Sequence, residues 1–209
     1  MTEPTIAECE EYWDLVTENF TWNDKSITLP ANWGKMRAQL RFLLGYKVNR
    51  KTPILEIGPG AGFVPMALKV VSGGLNYTGL DLSGKFAEIP RRIWKLNVKQ
   101  GDAAEMPFED EMFEWVLAFD SLEHIRPSDR QKVYAEIKRV TTPMGMIFIN
   151  NPVTKGFHDP RFDFYLNDKD IGEIAIAVGA RIVQMDLYEV KGFHYQFIVL
   201  QKEGGECQN

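Results

Sequence analysis

The chain has 209 residues, 44% hydrophobic and 25% charged, with a formal net charge of −5. That length suits one domain with a substantial core, and the composition is that of a soluble globular protein. The negative balance argues against a protein built to grip a phosphate backbone, and no apolar run approaches the ~20 residues that span a bilayer. Met1-Thr2-Glu3-Pro4 is unlike a signal peptide, so the expected address is cytoplasmic. Cys9 and Cys207, the only cysteines, have neither disulfide-framework nor metal-ligand spacing.

Thr5 followed by Glu8 has the form of a capping box, and Ile6, Trp13, Val16 and Phe20 follow as an apolar stripe, which predicts a helix over residues 5–18. A second helix is expected from Trp33 to Leu44, burying Met36, Leu40, Leu43 and Leu44. Residues 1–50 thus read as a helical lid ahead of a core over 51–203, with 204–209 as a flexible tail. From Thr52 the pattern alternates strand and helix, which predicts a parallel sheet with right-handed crossovers. Ile54 to Ile57 is an apolar strand carrying Glu56; it runs into Gly58-Pro59-Gly60-Ala61-Gly62, a turn whose glycines admit close approach of a ligand. Asn76 to Leu80 ends at Asp81-Leu82. Lys95 to Gln100 leads to Asp102-Ala103, and Trp115 to Phe119 ends at Asp120. A helix from Pro127 to Val140 follows, capped by Ser128 and closed by Pro143 and Gly145, then a strand from Met146 to Ile149. Asp168 caps a helix over Ile171 to Val178. Two final strands, Arg181 to Tyr188 and His194 to Gln201, have no helix between them and must pair antiparallel.

In an open α/β sheet the ligand crevice lies outside the carboxyl strand ends at the switch point, so the four acid-bearing strand ends should meet at one site. Gly58-x-Gly60 with Asp81 downstream also fits a dinucleotide fingerprint in outline, and an NAD(P)-dependent oxidoreductase is the first rival reading. Phe63 stands where that fingerprint wants its third small residue, and the terminal hairpin has no place there.

On these motifs the chain resembles the class I S-adenosylmethionine-dependent methyltransferases from about Thr52 to Glu203. The resemblance implies a Rossmann-like three-layer α/β sandwich with a seven-stranded, mostly parallel sheet ending in an antiparallel hairpin. It implies S-adenosyl-L-methionine as cofactor and S-adenosyl-L-homocysteine as product. Glu56, Gly58, Gly60, Asp81, Leu82, Asp102, Ala103 and Phe119 would bind the cofactor, with Asp81 on the ribose hydroxyls and Asp102-Ala103 at the adenine. An acceptor carboxylate suits both a vicinal diol and an exocyclic amine.

Asp120-Ser121-Leu122-Glu123-His124 resembles the Glu-x-x-Glu-His segment of ubiquinone-pathway and small-RNA methyltransferases. There two carboxylates and a histidine hold a cation, which makes Asp120, Glu123 and His124 an alternative metal set. The primary reading has no metal and gives His124 and Asp120 catalytic roles, His124 as a general base. The aromatic connection from Asn150 to Asn167, together with Trp33, His158 and Arg161, is expected to form the acceptor pocket. The expected partner is a small-molecule acceptor rather than nucleic acid or a membrane, methylated on a hydroxyl or amine. A cofactor-binding but catalytically silent partner subunit is the rival from another class.

Overall fold

Thr5 starts the first helix as its residue pattern predicts. In a computed structural model that describes residues 3–17, 22–23, 26–27, 33–153 and 160–204, α1 spans Ile6–Val16 with a reciprocal capping box between Thr5 and Glu8. Phe20 lies outside the described residues. Two short strands, β1 (Trp22–Asn23) and β2 (Ser26–Ile27), pair antiparallel, and α2 spans Trp33–Leu44. Leu43 is fully buried, with Met36 and Leu40 packed on the same cluster, but Leu44 is 39% exposed. The seam of α2 follows residues 36, 40 and 43, and the next residue lies about 100° further round the helix, in solvent.

The βα repeat then follows in order: β3 (Ile54–Ile57), α3 (Phe63–Val71), β4 (Tyr77–Asp81), α4 (Gly84–Ile93), β5 (Val98–Gln100), β6 (Phe113–Phe119), α5 (Arg130–Val140), β7 (Thr141–Pro152), α6 (Asp168–Val178), β8 (Ala180–Val190) and β9 (Phe193–Lys202). The seven-stranded sheet has the order β5-β4-β3-β6-β7-β9-β8. Its first five strands are parallel, while β9 pairs antiparallel with both β7 and β8. The chain leaves β3 towards one edge and returns to lay β6 on its other side, so the switch point falls between β3 and β6.

Both faces of this sheet are covered, which is why its central strands read as unbroken apolar runs. Leu55, Ile57, Val116, Ala118, Ile147 and Ile149 pack on one side with Val133, Ile137, Ile171 and Ile174 from α5 and α6. On the other, Ile54, Trp115, Leu117 and Phe148 pack with Leu43, Val64 and Leu68 from α2 and α3. Helix α1 lies against α4, where Trp13 and Val16 meet Phe86 and Ile89.

Three of the departures from the expected boundaries have a local cause. Helix α5 starts at Arg130 behind Asp129, because Arg126 Nε donates to Asp129 Oδ2 (2.6 Å) and the Ser128 amide is drawn to Glu3 Oε1 (3.1 Å). Strand β7 begins at Thr141 rather than Met146. The register jumps from Phe113↔Thr141 to Trp115↔Met146, and Pro143 sits in that irregularity, where it owes no ladder bond. Asn167 rather than Asp168 caps α6, accepting from the amides of Lys169 and Asp170 at 2.9 and 3.2 Å.

Candidate functional site

Beyond β3 the chain turns sharply through Gly58 (φ 66°), Gly60 (φ 53°) and Gly62 (φ 73°). A Cβ on Gly58 would stand 2.8 Å from the Ser121 Cβ beyond β6, so this position needs glycine for space as well as for φ. Asp81, at the end of β4, ties the turn down: its Oδ2 accepts from the Gly60 amide and its Oδ1 from the Ser83 amide, both at 3.0 Å. Burial pushes the Asp81 carboxyl up to about 7, against the pull of those two amides. Past β5, Asp102 Oδ1 accepts from the Ala104 amide at 2.8 Å. Past β6, Asp120 adopts φ 50°, a left-handed conformation that favours glycine, which turns the chain towards Ser121 and Glu123.

These strand ends surround one cavity of about 480 Å³. Gly58, Gly60, Asp81, Leu82, Asp102, Ala103, Phe119, Asp120, Glu123 and His124 all line it. Glu56 is not part of the lining. The two-residue period of β3 puts its side chain on the face shared with Ile54, where Tyr77 Oη donates to its Oε2 at 2.7 Å and burial pushes its carboxyl up to about 7.

At the acceptor side the structure redistributes the expected roles. Asp120 Oδ2 pairs with Lys35 Nζ at 3.0 Å and accepts from Gln39 Nε2 at 2.7 Å, while Gln39 also donates to Asn150 Oδ1 at 2.7 Å. Burial works against the charge of Lys35, but Asp120 outweighs it and its pKa lies above the usual value. His124 Nδ1 lies 3.0 Å from both the Phe162 carbonyl and Asp163 Oδ1; its Nε2 lies 3.8 Å from Glu123 Oε1. Burial opposes its charge too, yet Glu123, Asp163 and the Phe162 carbonyl together raise its pKa. The members of the alternative metal set have other partners: Asp120 pairs with Lys35 and Gln39, and His124 lies between Asp163 at Nδ1 and Glu123 at Nε2. Among the described residues no group of three His, Cys, Asp or Glu could hold a metal ion.

Of the expected acceptor residues, Arg161 is exposed, lies over the Phe162 ring (5.3 Å) and does not line the cavity. A charged side chain at the rim gains more from water than from an apolar pocket. Trp33 opens α2, the helix that brings Lys35 to the site, and His158 lies outside the described residues. The connection before α6 supplies Asp163 and Tyr165 instead. Sequence reasoning also missed Tyr195, which lines the cavity, while on the α1 side Ile6, Cys9, Trp13 and Val16 roof it. Asp14 fastens that roof, accepting from Ser83 Oγ and from the Lys85 amide (3.2 Å).

The buried carboxyls have a consequence for stability. Unfolded, Glu56, Asp81 and Glu123 titrate near 4; folded, burial raises each to about 7. The folded state holds these protons more tightly, so their contribution is complete below about pH 4 and is lost as pH rises through about 7. The melting temperature without ligand should therefore fall between about pH 5 and about pH 8. A calorimetric scan series that is level or rising across that interval would show that the three groups are ionised in the fold.

A family model described as a methyltransferase domain matches residues 55–149. The chain is 33% identical over 160 residues to the demethylmenaquinone methyltransferase of Thermotoga maritima, a match covering 74% of this chain and 67% of the relative. It is 27% identical over 169 residues to the 27-O-demethylrifamycin SV methyltransferase of Amycolatopsis mediterranei, covering 72% and 60%. Among solved structures, the magnesium protoporphyrin IX methyltransferase of Synechocystis PCC 6803, determined with S-adenosylhomocysteine bound, superposes with a TM-score of 0.74 over 95% of this chain and 100% of that one. At 12% identity that likeness is one of fold.

Proposed function

The chain belongs to the class I S-adenosylmethionine-dependent methyltransferases, and on that premise we propose that it methylates a hydroxyl or amine of a small-molecule acceptor. The observation that carries this reading is the convergence of Gly58, Gly60, Asp81, Asp102, Ala103 and Phe119 on one cavity at the switch point. Its volume of about 480 Å³ lies within the roughly 300–1,000 Å³ typical of small-molecule sites. Two features favour a ligand here. Ser121 Oγ is buried without a hydrogen-bond partner among the described residues, and a Cβ on Gly60 would meet nothing nearer among them than the Phe86 ring at 4.0 Å, which leaves room against the turn for a ligand.

Asp81 would hold the ribose hydroxyls and Asp102 with Ala103 the adenine, while the glycine turn and Ser121 would lie against the methionine portion. Bound there, the cofactor supplies an electrophilic methyl group on a sulfonium. The protein's task is then alignment and exclusion of water. Helix α1 serves as the lid, with Trp13 and Val16 over the cavity and Asp14 latched to the start of α4. Lys35, Gln39 and Asn150 hold Asp120 in its turn, so Asp120 shapes the site rather than exchanging protons. Trp13, Tyr165 and Tyr195 give the acceptor end an aromatic wall. Both curated relatives are named for small-molecule acceptors, a quinone and a rifamycin, which supports the acceptor class. A cytoplasmic setting completes the reading: Cys9 is a buried free thiol, as in reducing compartments.

Purified protein incubated with methyl-labelled S-adenosylmethionine and a panel of small phenols, quinols and amines should release S-adenosylhomocysteine and label one acceptor class. Tight cofactor binding with no turnover on any of them would favour the silent-subunit reading.

A further inference from the structure

Glu123 lines the cavity, is 2% exposed, and its Oε2 has no hydrogen-bond partner among the described residues. Leaving a buried acceptor unmade costs about 1–3 kcal/mol, more for a charged group, so such an atom beside a cavity points to a donor that arrives with a ligand. Its neighbours are already committed. His124 Nδ1 is held by Asp163 and the Phe162 carbonyl, and its Nε2 is turned to Glu123 Oε1; Trp13 closes on the ring edge-on at 4.5 Å. Asp120 is taken up by Lys35 and Gln39.

Resting on the methyl transfer read above, we propose that Glu123, rather than His124, takes the acceptor's proton, and that the acceptor presents a neutral hydroxyl on an aromatic or apolar body. The acceptor's O–H bond breaks and the proton passes to Glu123 Oε2. The oxygen's electron pair forms the new bond to the methyl carbon, as the carbon–sulfur bond breaks with its pair remaining on sulfur. His124 acts through Glu123 as a positioning residue, its ring fixed by Asp163 with Nε2 turned to the carboxylate. Lys35 and His124, the cations at this end of the cavity, are already matched by Asp120 and Asp163, which leaves the Glu123 carboxylate as the open acceptor for a hydroxyl. A neutral amine would not need the carboxylate.

The test is a hydroxyl-against-methoxyl comparison on protein saturated with S-adenosylhomocysteine, with p-cresol and 4-methylanisole titrated by calorimetry. A hydrogen bond to a carboxylate is worth about ten-fold or more in affinity, so the wild-type protein should prefer p-cresol by about that factor. Glu123→Gln should reduce the preference severalfold, and Glu123→Met should remove it. Both variants should bind S-adenosylhomocysteine as wild type does and melt no lower, since the carboxylate serves the ligand and not the fold. An unchanged preference in the variants, a wild-type protein that does not bind or favour p-cresol, or variants too unstable to bind S-adenosylhomocysteine would each overturn the proposal. Failure of the wild-type protein to bind S-adenosylhomocysteine would instead overturn the methyltransferase reading beneath it.

Discussion

Asp81→Asn should weaken binding of S-adenosylhomocysteine by about a hundred-fold or more, the largest loss expected from any single polar substitution in the site. A carboxylate that accepts from both hydroxyls of a diol makes two charge-assisted bonds, each worth about 1.5–3 kcal/mol. Asparagine keeps the shape but replaces one acceptor oxygen by an NH₂. In wild type each oxygen already accepts from a backbone amide, Gly60 on Oδ2 and Ser83 on Oδ1, so the new NH₂ must face a donor whichever way it turns. Part of the loss will therefore come through the glycine turn. The ligand-free carboxyl titrates at about 7, so wild-type affinity should also fall as pH drops below that value, whereas the asparagine variant should respond far less. Calorimetry over that pH range checks both, and undiminished affinity in the variant would remove Asp81 from the cofactor site.

How far such a site can be read without coordinates depends on whether its signal is local. Asp81 and Asp120 each close a strand and Asp102 follows the short strand β5, and each reaches the cavity because a parallel strand delivers whatever follows its carboxyl end to the same edge. Glu56 carries the same kind of signal and fails, since it sits inside β3, where alternation turns it under the sheet to Tyr77. The α1 stripe was legible as a buried face, but periodicity does not say what a face is buried against, and here it is the cavity roof. Gln39 left no trace at all, because its partners Asp120 and Asn150 lie 81 and 111 residues further on. Asp163 was passed over among aromatic neighbours, and it is the carboxylate that fixes His124. Non-local polar pairs of this kind belong to the packing of α2 and the late connection onto the strand ends, and no pattern within either segment announces them.

Gly58→Ala should destabilise the protein by about 2–4 kcal/mol, through two causes that a second substitution can separate. The first is conformational: Gly58 has φ 66°, and a left-handed alanine costs roughly 1–2 kcal/mol. The second is steric, because the added Cβ would stand 2.8 Å from the Ser121 Cβ and force β3 and β6 apart at the switch point. Ser121→Gly removes the opposing atom. Urea denaturation of the two single variants and the double variant should therefore give a coupling of about 1–2 kcal/mol, recovering the steric part and leaving the conformational part in place. Additive effects would mean the strand ends give way without resistance, which a sheet packed on both faces should not allow. Binding should separate the same two causes. Gly58 and Ser121 face the same cavity, so the double variant, with its backbone spacing restored but the Ser121 hydroxyl gone, should regain stability before it regains affinity for S-adenosylhomocysteine.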